Sequence, residues 1–397
     1  MKKRLNFWRS DWFLGVAVTL TLLVLSGGDL IQSLERKAYD VGVRNASRTP
    51  SDRIAVIAID DQSLDNIGRW PWSREVHARM TDVLADAKAK VIANTTFFFE
   101  PQRDPGLTYI NKLLELYNRN VPPHVADAAT PVKPGSTDLA SFGALLQEAE
   151  QALNTDRKLT ASLKRANNVL LPMVFRTLAE PQGRPDRPLP DYVASSALAL
   201  KGTGEILPLP GQNPIFPVPD VGAAAAGIGH LNAALDVDGA VRSEPRIIRY
   251  FDQFIPSLSL MVAAQSLNLA VADIKATFGE EVQIGKKRIR TDPELRMYTF
   301  FYADRDARPA FTVDSFFDVY SGKIPATKFR DKIVLIGPTA SGLGTSHVTP
   351  VAPSMAPVLS MAHAVSSLLN EDYFVVPTWS PAVEKLIFLL IAVYLIA

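Results

Sequence analysis

Residues 12–28 carry no charged side chain, and this run constrains the chain more than any other feature. It is just long enough to cross a hydrocarbon core, which takes ~17–25 helical residues. A cleaved signal peptide would end in small residues of the A-x-A kind, and none follow. Instead Leu30, Ile31, Leu34 and Ala38 continue at helical spacing. An uncleaved membrane helix over residues 12–30 is therefore expected. Lys2, Lys3, Arg4 and Arg9 precede it with no acidic residue among them, so residues 1–11 are expected in the cytoplasm and residues 31–380 on the outside. Trp8 and Trp12 would sit at the interface.

The other end repeats the theme. Residues 386–397 (LIFLLIAVYLIA) are uninterrupted apolar sequence, but a helix of that length rises only ~18 Å against a ~30 Å core. Residues 382–397 are expected to be the start of a second membrane helix, cut short. The alternative is a greasy helix packed on the folded domain.

Between these ends composition excludes more than it selects. With 42 basic and 41 acidic residues the formal net charge is +1, so no global field draws nucleic acid to this chain. The absence of cysteine removes disulfides, thiol nucleophiles and cysteine-held metals. No cofactor is indicated.

From about residue 53 to 379, short apolar β-rich runs alternate with helical stretches, which predicts an α/β fold: a mixed, mainly parallel sheet flanked by helices. Residues 54–60 (IAVIAID) read as a buried strand, residues 72–87 as a helix, and residues 91–99 as the next strand, a parallel crossover unit. Residues 101–165 look like an insertion, polar and proline-dotted before turning helical, and VLLPMVF is the strand that follows it. Residues 227–250 read as a hairpin about a type I′ turn at Asp238-Gly239. Later come a helix over residues 257–269, β-rich pieces over residues 284–302, the strand KIVLIG (332–337) and a helix near residues 362–369.

Three clusters are candidates for chemistry. The densest is Asp60-Asp61 with Arg69-Trp70-Pro71-Trp72-Ser73-Arg74 and His77, beginning where a strand ends, the place where parallel α/β proteins put ligands. Arg69 and Arg74 would attract an anion, and the tryptophans would stack or exclude water. The competing reading is structural: aspartates tying a turn, Ser73 capping a helix, and Trp70 and Trp72 buried at the sheet edge. The second cluster is His230 with Asp236, Asp238 and Arg242. It offers carboxylates for a hard cation but lacks the remaining positions of a calcium loop, and Arg242 would otherwise pair with a nearby aspartate. The third, residues 337–344, has no lysine after its glycines and no glycine two positions before Ser341, so neither a phosphate loop nor a nucleophile elbow is supported. His347 and His363 stand alone, and no H-E-x-x-H pattern occurs. No catalytic residue and no metal ligand set is assigned.

Taken in order, AYD (38–40), IAVIAIDDQSL, GRWPWSREVHA, GHLNAALDVDGAVR, PSLSL (256–260) and KIVLIGPTASGLG resemble the CHASE domain of the second type, CHASE2, over nearly the whole region between the apolar ends. The resemblance implies a sensory domain of bacterial receptors, held in the plasma (inner) membrane with its main domain on the periplasmic side. It also implies an output module in the cytoplasm, a serine/threonine kinase, a histidine kinase or a nucleotide cyclase. Thr345 stands where such sequences often carry an aspartate.

The expected partners are the membrane, an unknown small-molecule or envelope stimulus, and a second copy in a homodimer. The candidate ligand-binding residues are Arg69, Trp70, Trp72, Arg74 and His77, then Asp60, Asp61, His230 and Arg242. Two other functions remain open at this point. One is a membrane-tethered hydrolase or metal-binding enzyme using Asp60, Asp236 and His230. The other is a module that only mediates dimerisation or contact with another envelope protein.

Overall fold

The computed structural model describes residues 11–26, 29–102, 104–120, 136–180, 187–200, 206–304, 309–375 and 379–396. The basic residues ahead of position 10, Trp8 and the proline-rich stretch of the insertion at 121–135 lie outside the described residues. In chain order the strands are β1 (Ile54–Ile59), β2 (Val91–Asn94), β3 (Val169–Thr177), β4 (Gln212–Ile215), β5 (Gly227–His230), β6 (Ala234–Leu235), β7 (Val241–Pro245), β8 (Ile247–Tyr250) and β9 (Gln253–Pro256). They continue with β10 (Ile274–Thr277), β11 (Glu281–Ile284), β12 (Lys287–Arg290), β13 (Arg296–Thr299), β14 (Thr312–Ser315), β15 (Ile333–Pro338) and β16 (Tyr373–Phe374).

The main sheet runs β14-β1-β15-β2-β3, all parallel. Beyond β3, β5 pairs parallel with its first half and β4 antiparallel with its second. Because neighbouring strand residues point to opposite faces, β1 feeds two cores. Ile54 and Val56 join Val91, Ala93 and Leu335 on one face, while Ala55, Ile57 and Ile59 join Ile92, Val334 and Ile336 on the other. Helices Leu258–Ser266 and Pro357–Asn370 cover the first face with Leu260, Met261, Val365 and Leu368. Helices Arg74–Asp86 and Thr155–Ala166 cover the second with Met80, Leu84, Leu159 and Leu163. Burial on both faces is why the strands read as continuous apolar runs, as parallel sheets require. Gly229 in β5 lets the Leu258–Ser266 helix approach closely, since a Cβ there would stand 2.7 Å from the backbone of Leu258.

The first strand-helix-strand unit is parallel as expected, with the late strand β15 inserted between β1 and β2. Two expectations need correction. The strand expected over residues 91–99 ends at Asn94, whose side chain accepts a hydrogen bond from the Thr96 amide (3.0 Å) and turns the chain out of the sheet. Residues 227–250 are not one hairpin: β5 joins the main sheet, and only β6 and β7 pair about the Asp-Gly turn. That turn is not type I′, which needs positive φ at both central residues; only Gly239 has it (φ 79°). Gly239 N–H donates to Asp236 O and Asp236 N–H to Ala240 O, both 2.8 Å, which makes a three-residue loop closed by a left-handed glycine.

A second sheet, β16-β13-β7-β6, is antiparallel and sits beside the first. Helix Asp29–Asn45, here called the arm, buries Val43 against Val241, Phe301 and Met355. Tyr39 on the arm packs its ring 5.1 Å from that of Phe374 in β16. Helices Asp11–Ser26 and Ser380–Ile396 pack on each other, with Leu14, Leu20, Leu389 and Leu390 exposed. At 16 and 17 residues they rise about 24 and 26 Å. Among the described residues no helix is long and apolar enough to cross a membrane.

Candidate functional site

Parallel pairing brings the carboxyl ends of β1, β2, β3 and β15 to one edge of the main sheet, and a cleft of about 430 Å³ opens there. Trp70, Pro71, Trp72 and His77 line it from the segment after β1. Thr95, Thr96 and Phe97, which follow β2, line a second side. Leu343, Thr345 and His347 come from the loop after β15.

Local chemistry fixes the first wall. Asp60 follows β1 and caps the next helix, accepting from Ser63 N–H at 2.9 Å, while Ser315 Oγ donates to it from β14 at 3.0 Å. Gly68 has φ 115°, a backbone region that suits glycine, and its carbonyl accepts from Trp72 Nε1 at 2.8 Å. The Trp70–Pro71 peptide is cis, and the two indoles meet edge to face at 5.2 Å. Ser73 then caps helix Arg74–Asp86.

Arg74 and His77 lie on the first turn of that helix. The Arg74 guanidinium donates to Asp156 Oδ1 (3.2 Å) and to Glu100 O (2.9 Å), and lies 4.5 Å over the Phe98 ring. Its charge is therefore matched by a carboxylate at the start of the Thr155–Ala166 helix. Burial lowers its pKa, and Asp156 opposes that. His77 is enclosed by Trp70, Trp72, Phe98 and Phe316. Burial, with the Arg74 charge adding, pushes its pKa down to about 3, and its Nδ1 has no hydrogen-bond partner. The ring is neutral at physiological pH.

Arg242 organises a different place. Its Nε and Nη2 donate to the two oxygens of Asp40 on the arm, 2.9 Å each. Nη1 reaches Asp236 at 2.8 Å, and Nη1 and Nη2 both reach Asp238 at 2.9 Å. One guanidinium thus holds three carboxylates, and its hydrogen bond keeps the Asp238 carboxyl down at about 2. The cleft and this clamp share a backbone bond: Val241 N–H donates to Val348 O at 2.8 Å, so the residue before Arg242 is tied to the residue after cleft-lining His347.

A family model, that of the CHASE2 domain, matches residues 15–397. The chain belongs to the CHASE2 domain family. As a CHASE2 domain it is a sensory domain of the extracytoplasmic type. No curated protein and no solved structure matches it.

Within the CHASE2 domain the proposed ligand residues divide into separate groups. Trp70, Trp72, Arg74 and His77 line one cleft. Arg69 is exposed and is not part of the lining, Asp60 is engaged in its cap, and Asp61 is exposed on the helix it begins. His230 is buried in β5, its pKa pushed down to about 3 by burial and by Arg246. Asp60, Asp236 and His230, the set an enzyme would have used, take different surroundings, and among the described residues no group of three or more His, Asp or Glu is placed to hold a metal ion. Sequence reasoning missed Thr95, Thr96 and Phe97, which it assigned to a strand. Asn94 was the available signal, as a side chain that competes for nearby backbone amides.

Proposed function

We propose that this CHASE2 domain senses a small molecule in the cleft between the Trp-Pro-Trp segment and the loop after β15, and passes its state to the arm. In this reading helices Asp11–Ser26 and Ser380–Ile396 anchor the domain outside a bacterial plasma membrane. Lipid, or the same helices of a second copy in a homodimer, covers their exposed apolar side chains. A cytoplasmic kinase or cyclase module receives the signal; the family resemblance is the support for that step. The observation that carries the reading is the Val241–Val348 hydrogen bond, which joins the cleft loop to the Arg242 clamp on the arm. A ligand that favours one position of the loop would bias the clamp through that bond, and only a ligand with different affinity for two arrangements shifts them.

Location is testable because the chain has no cysteine of its own. A single cysteine at exposed Ser341, on the cleft loop, should react with a membrane-impermeant maleimide in intact cells. Labelling only after lysis would refute an outside domain.

A further inference from the structure

The cleft's lining is specific enough to name a ligand class. A volume of about 430 Å³ lies within the range of small-molecule sites. Among the residues lining it, Arg74 is the one with a permanent charge, and that charge is already matched by Asp156 at 3.2 Å. Among the described residues no carboxylate lines the cleft, and Arg69 stays outside the lining. An anionic ligand would therefore lose its hydration for a cation already spent, and a cationic one would find no carboxylate in the lining, the nearby Glu244 being engaged by Arg246.

Polar demand exists all the same. Thr96 Oγ1 and His77 Nδ1 are buried without a hydrogen-bond partner, and their residues are only 7% and 1% exposed. His347 Nδ1 is unpartnered as well. Buried polar atoms left unmatched cost free energy, so a ligand that offers a donor and an acceptor here gains more than it would in water. The apolar part of the site is aromatic. Phe97 is 43% exposed, stacked on Phe99 at 4.6 Å, and Trp70 faces the cleft with part of its indole open. Open aromatic faces at a cleft suit a flat partner.

We infer that the cleft binds a neutral, planar aromatic or heteroaromatic molecule bearing one or two hydrogen-bonding groups, its ring against Phe97 and Trp70 and its polar edge toward Thr96 and His77. The inference rests on the sensory reading and narrows it. Neutrality of the two lining histidines is consistent with it, since burial lowers the pKa of both.

The test uses three probes of one shape and different charge, titrated calorimetrically into the whole chain in lipid nanodiscs: 2-naphthamide, 2-naphthoate and 2-naphthylmethylammonium. The naphthamide should saturate one site and bind at least tenfold more tightly than either ion. Phe97→Ala, at an exposed side chain, should weaken it at least fivefold, and Thr96→Val, which preserves shape and removes an unpartnered hydroxyl, should weaken it several-fold with the melting temperature no lower than that of the native chain. Equal or tighter binding of the naphthoate would overturn the ligand class while leaving a sensory cleft in place. Absence of saturable naphthamide binding, or binding untouched by both substitutions, would overturn the inference altogether.

Discussion

Asp40 and Arg242, 202 positions apart in the sequence, share two parallel hydrogen bonds of 2.9 Å, a fork-to-fork pairing between the arm and the β6–β7 hairpin. The Arg242 side chain is only 6% exposed, whereas Asp236 and Asp238 keep part of their carboxylates in water. Hydrogen bonds from Arg242 to Asp238 and Asp40 raise its pKa against the opposing effect of burial.

Removing the guanidinium leaves Asp40, Asp236 and Asp238 facing one another, with solvent and Arg36 offsetting part of the repulsion, so Arg242→Ala should destabilise the docked arm by about 1–3 kcal/mol. Asp40→Asn keeps the shape and removes one charge, and should cost about 1–2 kcal/mol. Limited trypsin digestion reads both: cleavage at exposed Lys37 and Arg44 should accelerate while the core fragment stays intact. Cleavage at native rates in Arg242→Ala would show that the arm is held by something else.

Three buried histidines give the domain an acid limit. Burial pushes the pKa of His77, His230 and His363 down to about 3 from 6.5. Between those values the unfolded chain binds protons that the folded chain does not, so stability is complete above pH 6.5 and falls as pH drops toward 3. Each ring contributes a slope of up to about 1.4 kcal/mol per pH unit, and the three together about 5 kcal/mol between pH 6.5 and 5. Urea unfolding at pH 7 and pH 5 measures it. Equal stability at both would mean that the rings are charged in the fold.

The main sheet was legible because burial on both faces writes itself as apolar runs: β1, β3 and β15 stand where their sequences put them. Sheet order was not, since nothing local to β15 states that it will separate β1 from β2. The Trp-Pro-Trp wall was legible from its position after a strand. The opposite wall was not, because Thr95–Phe97 have strand-like residue types: Thr95 still bonds to Ile336 O, and the Thr96 amide turns to the Asn94 side chain instead of a neighbouring strand. Arg69 and Arg74 look equivalent in sequence; a salt bridge to Asp156, eighty-two positions away, makes them different.

Gly229 sits where β5 meets the start of the Leu258–Ser266 helix. Gly229→Ala places a methyl 2.7 Å from Leu258 Cα and N, backbone atoms with no rotamer to yield. A loss of about 1–3 kcal/mol is expected from such overpacking, read as a lowered urea midpoint. An unchanged midpoint would mean that helix and strand separate freely.

Arg74 joins the cleft wall to the Thr155–Ala166 helix. Arg74→Met keeps much of the stem's contact with Phe98 but leaves Asp156 without its cation, and should cost about 2–3 kcal/mol. The double variant with Asp156→Asn should recover part of that loss in the same urea measurement. Strict additivity would show that the pair is not coupled.

Coupling between cleft and arm is reciprocal, so it can be read without knowing the ligand. Amide hydrogen exchange of the whole chain in nanodiscs, native against Arg242→Lys, tests it most directly. Lysine keeps the charge and loses the fork. The account predicts at least tenfold faster exchange both along the arm, Asp29–Asn45, and in the cleft loop around His347 and Val348, with β1, β2 and β15 unchanged. A released arm beside a cleft loop that exchanges at its native rate would contradict it.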